Sequence, residues 1–377
     1  MPWKVAPMSE IRLAFVHHVL SLHHPVAQAC RRFGISRKTG HKWLARHRRN
    51  PHAPLLDLPK RPRSSPRRTP EELEQAVLDV RDRFGWGPRK IHALLRAAGQ
   101  QLPSVRTLAN ILRRHRRVPA AVPGPAADQR FERSRPNELW QCDFKGWLEV
   151  KRQRVYPFTV LDDHSRFLLA VEPCPDQTML TAWNALWNVF GEFGLPDEIL
   201  CDHAFGDHNP RVRTLSWFEA RLLRLGIRPC HGRPYHPQTQ GKLERLHGTL
   251  EREVWPRVRR DRLDHFAADV ARWRTGVYNV LRPHEALNDR PPLSRWQPSP
   301  RPRPAALPPL AYPPGASVRR VSSGGDLSWR GYRFFVGGGL ARELVHVYQH
   351  DHEVVLSYAS YAFRRIALSA LSRKTIL

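Results

Sequence analysis

Three acidic residues lie in sequence contexts that suit metal-dependent chemistry on phosphate groups. Asp143 lies in the segment WQCDF, Asp202 in ILCDH, and Glu244 in HPQTQGKLER. The formal net charge of the chain is +28, so carboxylates are scarce in it. Hard cations such as Mg²⁺ bind oxygen ligands, commonly a few carboxylates together with substrate phosphates. The three acids therefore predict a divalent-metal site that acts on DNA strands, provided that the fold brings them together.

The elements predicted around these acids place them at one edge of a sheet. Asp143 falls in the first predicted strand, and Asp202 ends a later one. Ligands in open α/β sheets gather beyond the carboxyl ends of the strands. Glu244 falls in the first turns of a predicted helix, and one stripe of that helix holds Gln240, Glu244, His247 and Glu251. Two strand acids and one helix acid can thus meet in a single cleft.

The segment that contains the acids alternates between strand and helix patterns. Antiparallel strands are predicted first, and helices and strands then follow in turn. Strands are predicted at 139–144, 155–161, 167–171, 198–202 and 227–230, and helices at 178–193, 214–225 and 239–254. This order predicts an α/β domain with a mixed five-stranded sheet.

Positive charge is concentrated in the first third of the chain. Residues 1–130 contain 26 Lys and Arg against 8 Asp and Glu, which is +18 of the total +28. Lys and Arg displace condensed counterions from nucleic acid, so this excess predicts a polyanionic partner. A merely solubilising charge is the alternative, but it would not usually be so one-sided.

Residues 9–49 have a helix-turn-helix pattern. Gly34 ends one predicted helix, Ile35 packs inward, and Ser36 caps the next helix. That next helix is polar and basic and ends on core residues, as a recognition helix does. Its predicted DNA-binding residues are Arg37, Lys38, His41 and Lys42. An ordinary helical hairpin is the alternative, and these basic residues argue against it.

A second helical unit is predicted at 71–117, where Ser104 caps a last helix with an arginine-rich outer face. We predict that Arg106 and Arg113 of this helix bind DNA. The alternative is a solvated basic face on a structural bundle. Between the two units, prolines keep the chain extended, and Arg61 and Arg63 are predicted to follow a DNA backbone or groove.

Cysteine spacing and apolar runs argue against several other classes of protein. The five cysteines are odd in number and lack a C-x-x-C pair, which argues against a disulfide framework and against a zinc site. No apolar run approaches the ~20 residues that span a bilayer, and residues 1–10 lack the apolar region of a signal peptide. We therefore expect a cytoplasmic protein without a membrane partner.

The chain is predicted to contain several domains, because it is too long for one ordinary domain. Alternating apolar and polar residues near its C-terminus predict a small β-barrel. The predicted divisions are a helix-turn-helix domain at 1–50, a basic linker at 51–70, a second helical DNA-binding domain at 71–118, a linker at 119–135, an α/β core with a helical extension at 136–296, a proline-rich linker at 297–314 and the barrel at 315–377.

These motifs together resemble a known family. The segment RPYHPQTQGKLER at 233–245 is a close match to the third-acid motif of bacterial insertion-sequence transposases, which belong to the retroviral-integrase superfamily. LDDHSR at 161–166 and RPHEAL at 282–287 are also typical of these proteins. The resemblance covers most of the chain. It implies a ribonuclease-H-like integrase core whose catalytic acids are Asp143, Asp202 and Glu244.

The chemistry that the resemblance implies is two-metal phosphoryl transfer. Two Mg²⁺ or Mn²⁺ ions about 4 Å apart would hold the scissile phosphate. Asp143 would bind both ions, and Asp202 and Glu244 would bind one each. Lys242 and Arg245 would contact DNA phosphates beside Glu244.

Two features depart from the family pattern. The second acid is usually followed by Asn-Gly, whereas His203 and Ala204 follow Asp202 here. The separation of 42 positions between Asp202 and Glu244 is also longer than usual, and the extra residues are expected at 206–211. In LDDHSR, we interpret Asp162 as a turn residue, with a catalytic role as the alternative.

The sequence therefore predicts a bacterial, nucleoid-associated DNA transposase that binds terminal inverted repeats, cleaves the ends and joins them to target DNA. Transposition needs two ends held together, so a dimer or larger assembly on DNA is expected. A catalytically decayed transposase that only binds DNA is the alternative, and His203 and Ala204 favour it. A ribonuclease that cleaves RNA–DNA hybrids would share the core but would not explain two helical units.

Overall fold

The computed structural model describes residues 7–58, 68–117, 132–202, 205–206, 214–231 and 241–371. The chain divides into two compact units, Met1–Arg68 and Thr69–Leu377. All five cysteines are free thiols. Within the described ranges, no helix is both long and apolar enough to cross a membrane.

The described residues of the first unit form three helices, α1 (Met8–Leu20), α2 (Val26–Arg32) and α3 (Arg37–Arg49). The predicted helix-turn-helix is confirmed, including its turn. Gly34 adopts a φ of +62°, and the Ser36 hydroxyl accepts a hydrogen bond from the backbone N–H of Thr39 at 3.1 Å. The helices bury a small core that consists of Phe15, Val16, Val19, Ala29, Cys30, Trp43, Leu44 and Leu55.

The second unit begins with three more helices, α4 (Glu71–Phe84), α5 (Pro88–Ala97) and α6 (Val105–Arg114). Gly85 follows α4 in the left-handed conformation, with a φ of +74°. Ser104 caps α6 by accepting a hydrogen bond from the N–H of Thr107 at 3.3 Å. These helices, residues 71–117, are called the second helical domain below.

A six-stranded mixed sheet forms the centre of the second unit. Its strands are β1 (Leu139–Phe144), β2 (Leu148–Val150), β3 (Gln153–Asp162), β4 (Leu168–Cys174), β5 (Glu198–Cys201) and β6 (Arg228–His231). β3 pairs antiparallel with β1, β2 and β4, whereas β5 is parallel to both β1 and β6. The five predicted strands are present. The additional strand β2 has only three residues, which is too short for its alternation to be recognised in the sequence.

Helices cover both faces of this sheet. They are α7 (Met179–Phe193), α8 (Trp217–Arg224), α9 (Gly241–Thr249) and α10 (Leu263–Trp273). On one face, α7 and α8 pack against strand residues such as Trp140 and Phe158. On the other face, α9 and α10 pack against strand residues such as Leu161 and Leu168. Strands buried on both faces have nearly continuous apolar sequences, as β3 and β4 do.

The helical extension after α9 contains two π-helical turns. The first, Leu250–Val254, continues α9, and the second, Arg274–Tyr278, continues α10. Next to the second turn, the buried Asn279 joins this extension to β4. Its Oδ1 accepts a hydrogen bond from the N–H of Leu168, and its Nδ2 donates one to the carbonyl of Leu168, both at 2.9 Å. Short 3₁₀ turns follow at Glu285–Leu287 and Pro292–Arg295.

The predicted β-rich tail is confirmed, but its strands do not close into a single barrel. A four-stranded sheet has the order β12-β11-β10-β7, and β8 and β9 form a separate hairpin. These strands are β7 (Val318–Arg320), β8 (Asp326–Trp329), β9 (Tyr332–Phe335), β10 (Leu344–His350), β11 (Glu353–Tyr358) and β12 (Tyr361–Ala367). The apolar residues of the tail pack against Leu215, Ala220 and Leu223. The apolar residues of the tail are thus buried against the α/β core. Their burial does not require the strands to close into a barrel.

Gly339 lies where the tail contacts the start of α8. A Cβ atom added there would lie 2.3 Å from the carbonyl oxygen of Leu215 and 2.4 Å from the backbone nitrogen of Trp217. We predict that Gly339→Ala lowers the free energy of unfolding by about 1–3 kcal/mol, because backbone atoms must move to accept the methyl group. Urea denaturation measures this change. Gly338→Ala is the matched control, since a Cβ there has no neighbour within 4 Å. Equal stability of the two variants would contradict the prediction.

Candidate active site

Strands β1 and β5 carry Asp143 and Asp202 to the same edge of the sheet. Their parallel register pairs Trp140 with Ile199 and Gln141 with Leu200. Two residues further along both strands, the same register reaches Asp143 and Asp202. Both acids therefore lie at the carboxyl edge of the sheet, where Asp143 is partly buried and Asp202 is exposed.

Glu244 reaches the same edge from α9. Leu243 and Leu246 pack under the helix and leave Glu244 exposed. The charges of Asp202 and Glu244 both act on the carboxyl group of Asp143. The structure thus places Asp202 and Glu244 within electrostatic range of Asp143.

The environment of Asp143 disfavours its negative charge. Burial is the largest cause, and the nearby carboxylates of Asp202 and Glu244 act in the same direction. A hydrogen bond from the backbone N–H of Phe144 and the charge of Lys145 oppose them, and the pKa of Asp143 is raised to about 6. A cation placed among the three acids would relieve this repulsion.

The chemistry of these side chains fits a divalent metal ion. Three carboxylates provide the hard oxygen ligands that Mg²⁺ takes in proteins. In the ranges that the structure describes, no three His, Cys, Asp or Glu side chains are close enough together to hold one ion. Asp143, Asp202 and Glu244 would therefore have to approach one another to share a metal.

Lys242 anchors the start of α9 to the turn between β3 and β4. Its ammonium group contacts the carboxylate of the fully buried Asp163. Asp163 also accepts hydrogen bonds from the side-chain amide of Gln141 at 2.7 Å and from the N–H of Arg133 at 2.8 Å. Burial lowers the pKa of Lys242 to about 8. Lys242, which the sequence predicts to contact a DNA phosphate, thus pairs instead with a buried carboxylate of the protein. This contact lies two residues before Glu244.

A second polar contact holds α9 on the sheet three residues after Glu244. The Thr159 hydroxyl donates a hydrogen bond to the backbone carbonyl of Asp143 at 2.9 Å, and His247 Nε2 lies 2.9 Å from the same hydroxyl. Burial lowers the pKa of His247 to about 4, so the ring is neutral at pH 7. Since the Thr159 proton is used on Asp143, we assign the ring proton to Nε2, which donates to Thr159.

In the π-helical turn that continues α9, Glu251 contacts Lys145 at 2.7 Å. Glu244, His247 and Glu251 thus share the helix stripe that the sequence predicts, and of these three only the charge of Glu244 acts on Asp143. Thr159, Asp163 and Lys145 were not recognised from the sequence as positioning residues. Lys145 lies two residues after Asp143, a spacing that offers the one signal by which it could have been found.

The predicted DNA-binding residues differ in their placement. Seven of them are exposed on α3, on α6 or directly after Glu244. They are Arg37, Lys38, His41, Lys42, Arg106, Arg113 and Arg245. Lys242 is directed inward, as described above. Arg61 and Arg63 lie outside the described residues, as do His203 and Ala204 and most of the predicted insertion at 206–211.

Asp162 has the structural surroundings of a turn residue. It is fully buried and accepts hydrogen bonds from the N–H groups of Asn137 at 2.8 Å and Ser165 at 2.7 Å. Burial raises its pKa. Its carboxylate thus stabilises the turn before β4 by accepting these hydrogen bonds.

Comparison with protein families identifies the α/β core. Residues 133–237 and residues 225–292 each match a model described as an integrase core domain. The chain contains an integrase core domain. Residues 9–55 and residues 39–112 each match a model described as a homeodomain-like domain. The integrase core is therefore preceded by helix-turn-helix modules of a type that binds DNA.

Retroviral polyproteins contain a segment similar to this chain. The Gag-Pro-Pol polyprotein of Simian retrovirus SRV-2 is 33% identical over 116 residues, and that of Mason-Pfizer monkey virus is 31% identical over 119 residues. These alignments cover 31% and 32% of this chain. The chain spans only 6% of the length of each polyprotein, so the similarity concerns that segment alone.

Two solved structures are similar at low sequence identity. One is a simian T-cell lymphotropic virus intasome in complex with the PP2A regulatory subunit B56 gamma, with 18% identity, a TM-score of 0.37 and coverage of 79% of this chain and 99% of that chain. The other is the HTLV-2 integrase catalytic core domain in complex with magnesium, with 19% identity, a TM-score of 0.31 and coverage of 43% and 97%.

The raised pKa of Asp143 predicts how its removal changes stability with pH. The native state holds the Asp143 proton up to about pH 6, whereas the unfolded chain releases it near pH 3.8, so this residue costs stability as the pH rises between those values. We predict that Asp143→Asn raises the free energy of unfolding at pH 7 by up to about 3 kcal/mol, and by little at pH 4. Urea denaturation in EDTA at both pH values measures the difference.

A matched control is Asp264→Asn. Asp264 is exposed, and its hydrogen bond from Arg262 lowers its pKa to about 2, so its removal should bring no gain at pH 7. An equal effect of Asp143→Asn at pH 4 and pH 7 would contradict the electrostatic account of the site.

Proposed function

We propose that the protein is a DNA transposase that cleaves DNA ends and joins them to target DNA by metal-dependent phosphoryl transfer. The observation that carries this proposal is the placement of Asp143 and Asp202 at the carboxyl edge of the integrase core, where the charges of Asp202 and Glu244 both act on Asp143. Two homeodomain-like matches before the core support DNA as the substrate. The matches of residues 133–237 and 225–292 to integrase core domain models support this class of reaction.

Asp143, Asp202 and Glu244 would hold Mg²⁺ or Mn²⁺, with two ions in each active site. When bound, such ions polarise the scissile phosphate and stabilise the attacking and leaving oxygens. Asp143 is ionised above about pH 6 and is therefore ready to bind a cation at neutral pH. The neutral His247 adds no charge beside Glu244, and the exposed Arg245 can contact a DNA phosphate next to it.

The helical modules would bind the terminal inverted repeats of the element. Exposed basic side chains on α3 and α6 suit this role, because arginine and lysine contact phosphates and base edges. Joining requires two ends in one complex, so we expect a dimer or larger assembly on DNA. Sedimentation with a duplex that carries an inverted repeat tests this assembly, and a monomer on that duplex would contradict it.

A DNA-binding protein without catalysis is the second candidate. The distances between candidate metal ligands favour it, because no three His, Cys, Asp or Glu side chains in the described ranges are close enough to share an ion. The two candidates predict the same DNA binding and differ only in metal-dependent products. A single variant of the active site can therefore separate them.

We predict that Asp143→Asn abolishes strand transfer on an inverted-repeat duplex in Mg²⁺ or Mn²⁺. The expected loss is on the order of 1,000-fold or more, since metal-ion stabilisation of the transition state contributes several kcal/mol. Binding of the duplex should stay within about twofold, because Asp143 lies away from α3 and α6 in the sequence and contributes only one charge. Gel-based strand transfer and filter binding measure the two effects.

The control for this experiment is Asp264→Asn, which removes an exposed carboxylate from the same domain. It should leave strand transfer unchanged. Tight binding by the unmodified protein without any metal-dependent product would reject the transposase and favour the DNA-binding protein.

A further inference from the structure

The second helical domain contacts the integrase core through a buried carboxylate, Glu253. Trp86 Nε1 donates a hydrogen bond to Glu253 Oε2 at 3.0 Å, and Arg282 Nη2 donates one to Glu253 Oε1 at 2.9 Å. Lys90 Nζ lies 3.6 Å from Glu253 Oε1. Only 10% of the Glu253 side chain is exposed. One carboxylate thus joins Trp86 and Lys90 of the helical domain to Arg282 of the helical extension.

Apolar contacts lie beside this carboxylate. Val277 and Leu281 of the extension pack against the core of the second helical domain, which includes Trp86 and Ile91. The helical domain therefore shares part of its apolar core with the extension. It is held against the integrase core by packing as well as by charge.

Exposed ion pairs surround the same contact. Arg89 Nη1 lies 2.6 Å from Glu285 Oε1, and Arg89 Nε lies 3.0 Å from Asp289 Oδ2. Exposed pairs of this kind contribute little to stability, whereas a buried ion that loses its partner is strongly destabilising. Glu253 is therefore the polar contact on which the docking of this domain depends most.

The charges around Glu253 are balanced at neutral pH. Burial opposes its ionisation, but Arg282 and Lys90 hold the pKa of Glu253 below its usual value. Burial and the charge of Arg282 lower the pKa of Lys90 to about 8. At pH 7 the carboxylate is therefore ionised and lies between two cations.

Glu253 and Glu244 belong to one continuous helical segment. Glu244 lies in α9, and Glu253 lies in the π-helical turn that continues α9. At 1.5 Å per residue, the two positions are roughly 13 Å apart along the axis. π-helical turns inside α-helices occur frequently at functional sites. Arg106 and Arg113 on α6 remain exposed while the domain is docked.

We propose that Glu253 holds the second helical domain in a fixed position relative to Glu244, so that DNA bound by α6 reaches the active site in one register. The inference rests on the proposed function, because it takes α6 as a DNA-binding helix and the three acids as the catalytic site. Glu253 acts as a positioning residue, since its partners are Trp86, Lys90 and Arg282.

Hydroxyl-radical footprinting in an Asp143→Asn background tests this role without requiring any catalysis. The probe is a duplex selected for tight binding from a random-sequence pool. Apart from a segment bound by α3, the protein with Glu253 intact should protect a first segment bound by α6. It should also protect a second segment, at a fixed spacing from the first, that is bound by the integrase core. Loss of the first segment in Arg106→Gln/Arg113→Gln assigns it to α6.

Glu253→Gln is expected to keep overall affinity within about threefold and to retain the α6 segment. Protection of the second segment should fall at least fivefold or spread over several positions, because the core is no longer held in register. Asp264→Asn is the control and should give the unchanged footprint. An unchanged footprint in Glu253→Gln, or no second segment with Glu253 intact, would overturn the proposal.

A second variant covers the case in which Glu253→Gln does not fold. Arg89→Gln/Lys90→Gln weakens the contact from the surface of the helical domain and leaves the Glu253–Arg282 pair in place. It should shift the second segment in the same direction, by at least twofold, and an unchanged footprint would again overturn the proposal. Because the assay uses a catalytically inactive background, absent strand transfer would reject the proposed function while the docking role is decided separately by the footprints.

Discussion

Three carboxylates at the edge of one sheet are the constraint on which the rest of the core depends. Like charges at close range repel one another, and burial makes the charge of Asp143 still less favourable. Such an arrangement persists only if the surrounding elements hold it in place. The sheet does so by being buried on both faces, under α7 and α8 on one side and under α9 and α10 on the other.

The position of α9 is the second part of this arrangement. Glu244 is exposed, so apolar packing of its own side chain does not fix it. Instead, Lys242 before it and His247 after it are both partly buried. Lys242 contacts Asp163 of the turn after β3, and His247 contacts Thr159 of β3. Thr159 in turn contacts the backbone of Asp143 itself. His247 and Thr159 thus link α9, which carries Glu244, to the backbone of Asp143. The same helical segment continues to Glu253 and its contact with the second helical domain.

Local signals in the sequence predicted much of this fold. Ser36 and Ser104 cap the helices that they were expected to cap, since a hydroxyl before a helix satisfies N–H groups that have no partner in the helix. The five predicted strands and the placement of Asp143 and Asp202 at one edge of the sheet also follow from the sequence. The inward direction of Lys242 does not, because its partner Asp163 is 79 positions away. The docking of Trp86 on Glu253 spans 167 positions and leaves no local pattern. The prediction of a closed barrel was also wrong because of contacts between residues far apart in the sequence. The apolar residues of the tail are buried against Leu215 and residues of α8 rather than inside a barrel of their own.

The large positive charge of the chain has two separate uses. Arginines that follow the core donate hydrogen bonds to its backbone carbonyl groups rather than facing a polyanion. Arg301 contacts the carbonyl oxygens of Pro196 at 2.9 Å and Leu225 at 2.8 Å, and Arg303 contacts that of Trp187 at 3.0 Å. These contacts hold residues 297–314 along the core, a segment whose many prolines cannot donate backbone hydrogen bonds. Net charge alone therefore overstates the surface available to DNA, and the exposed basic residues of α3 and α6 are the better guide to where DNA would bind.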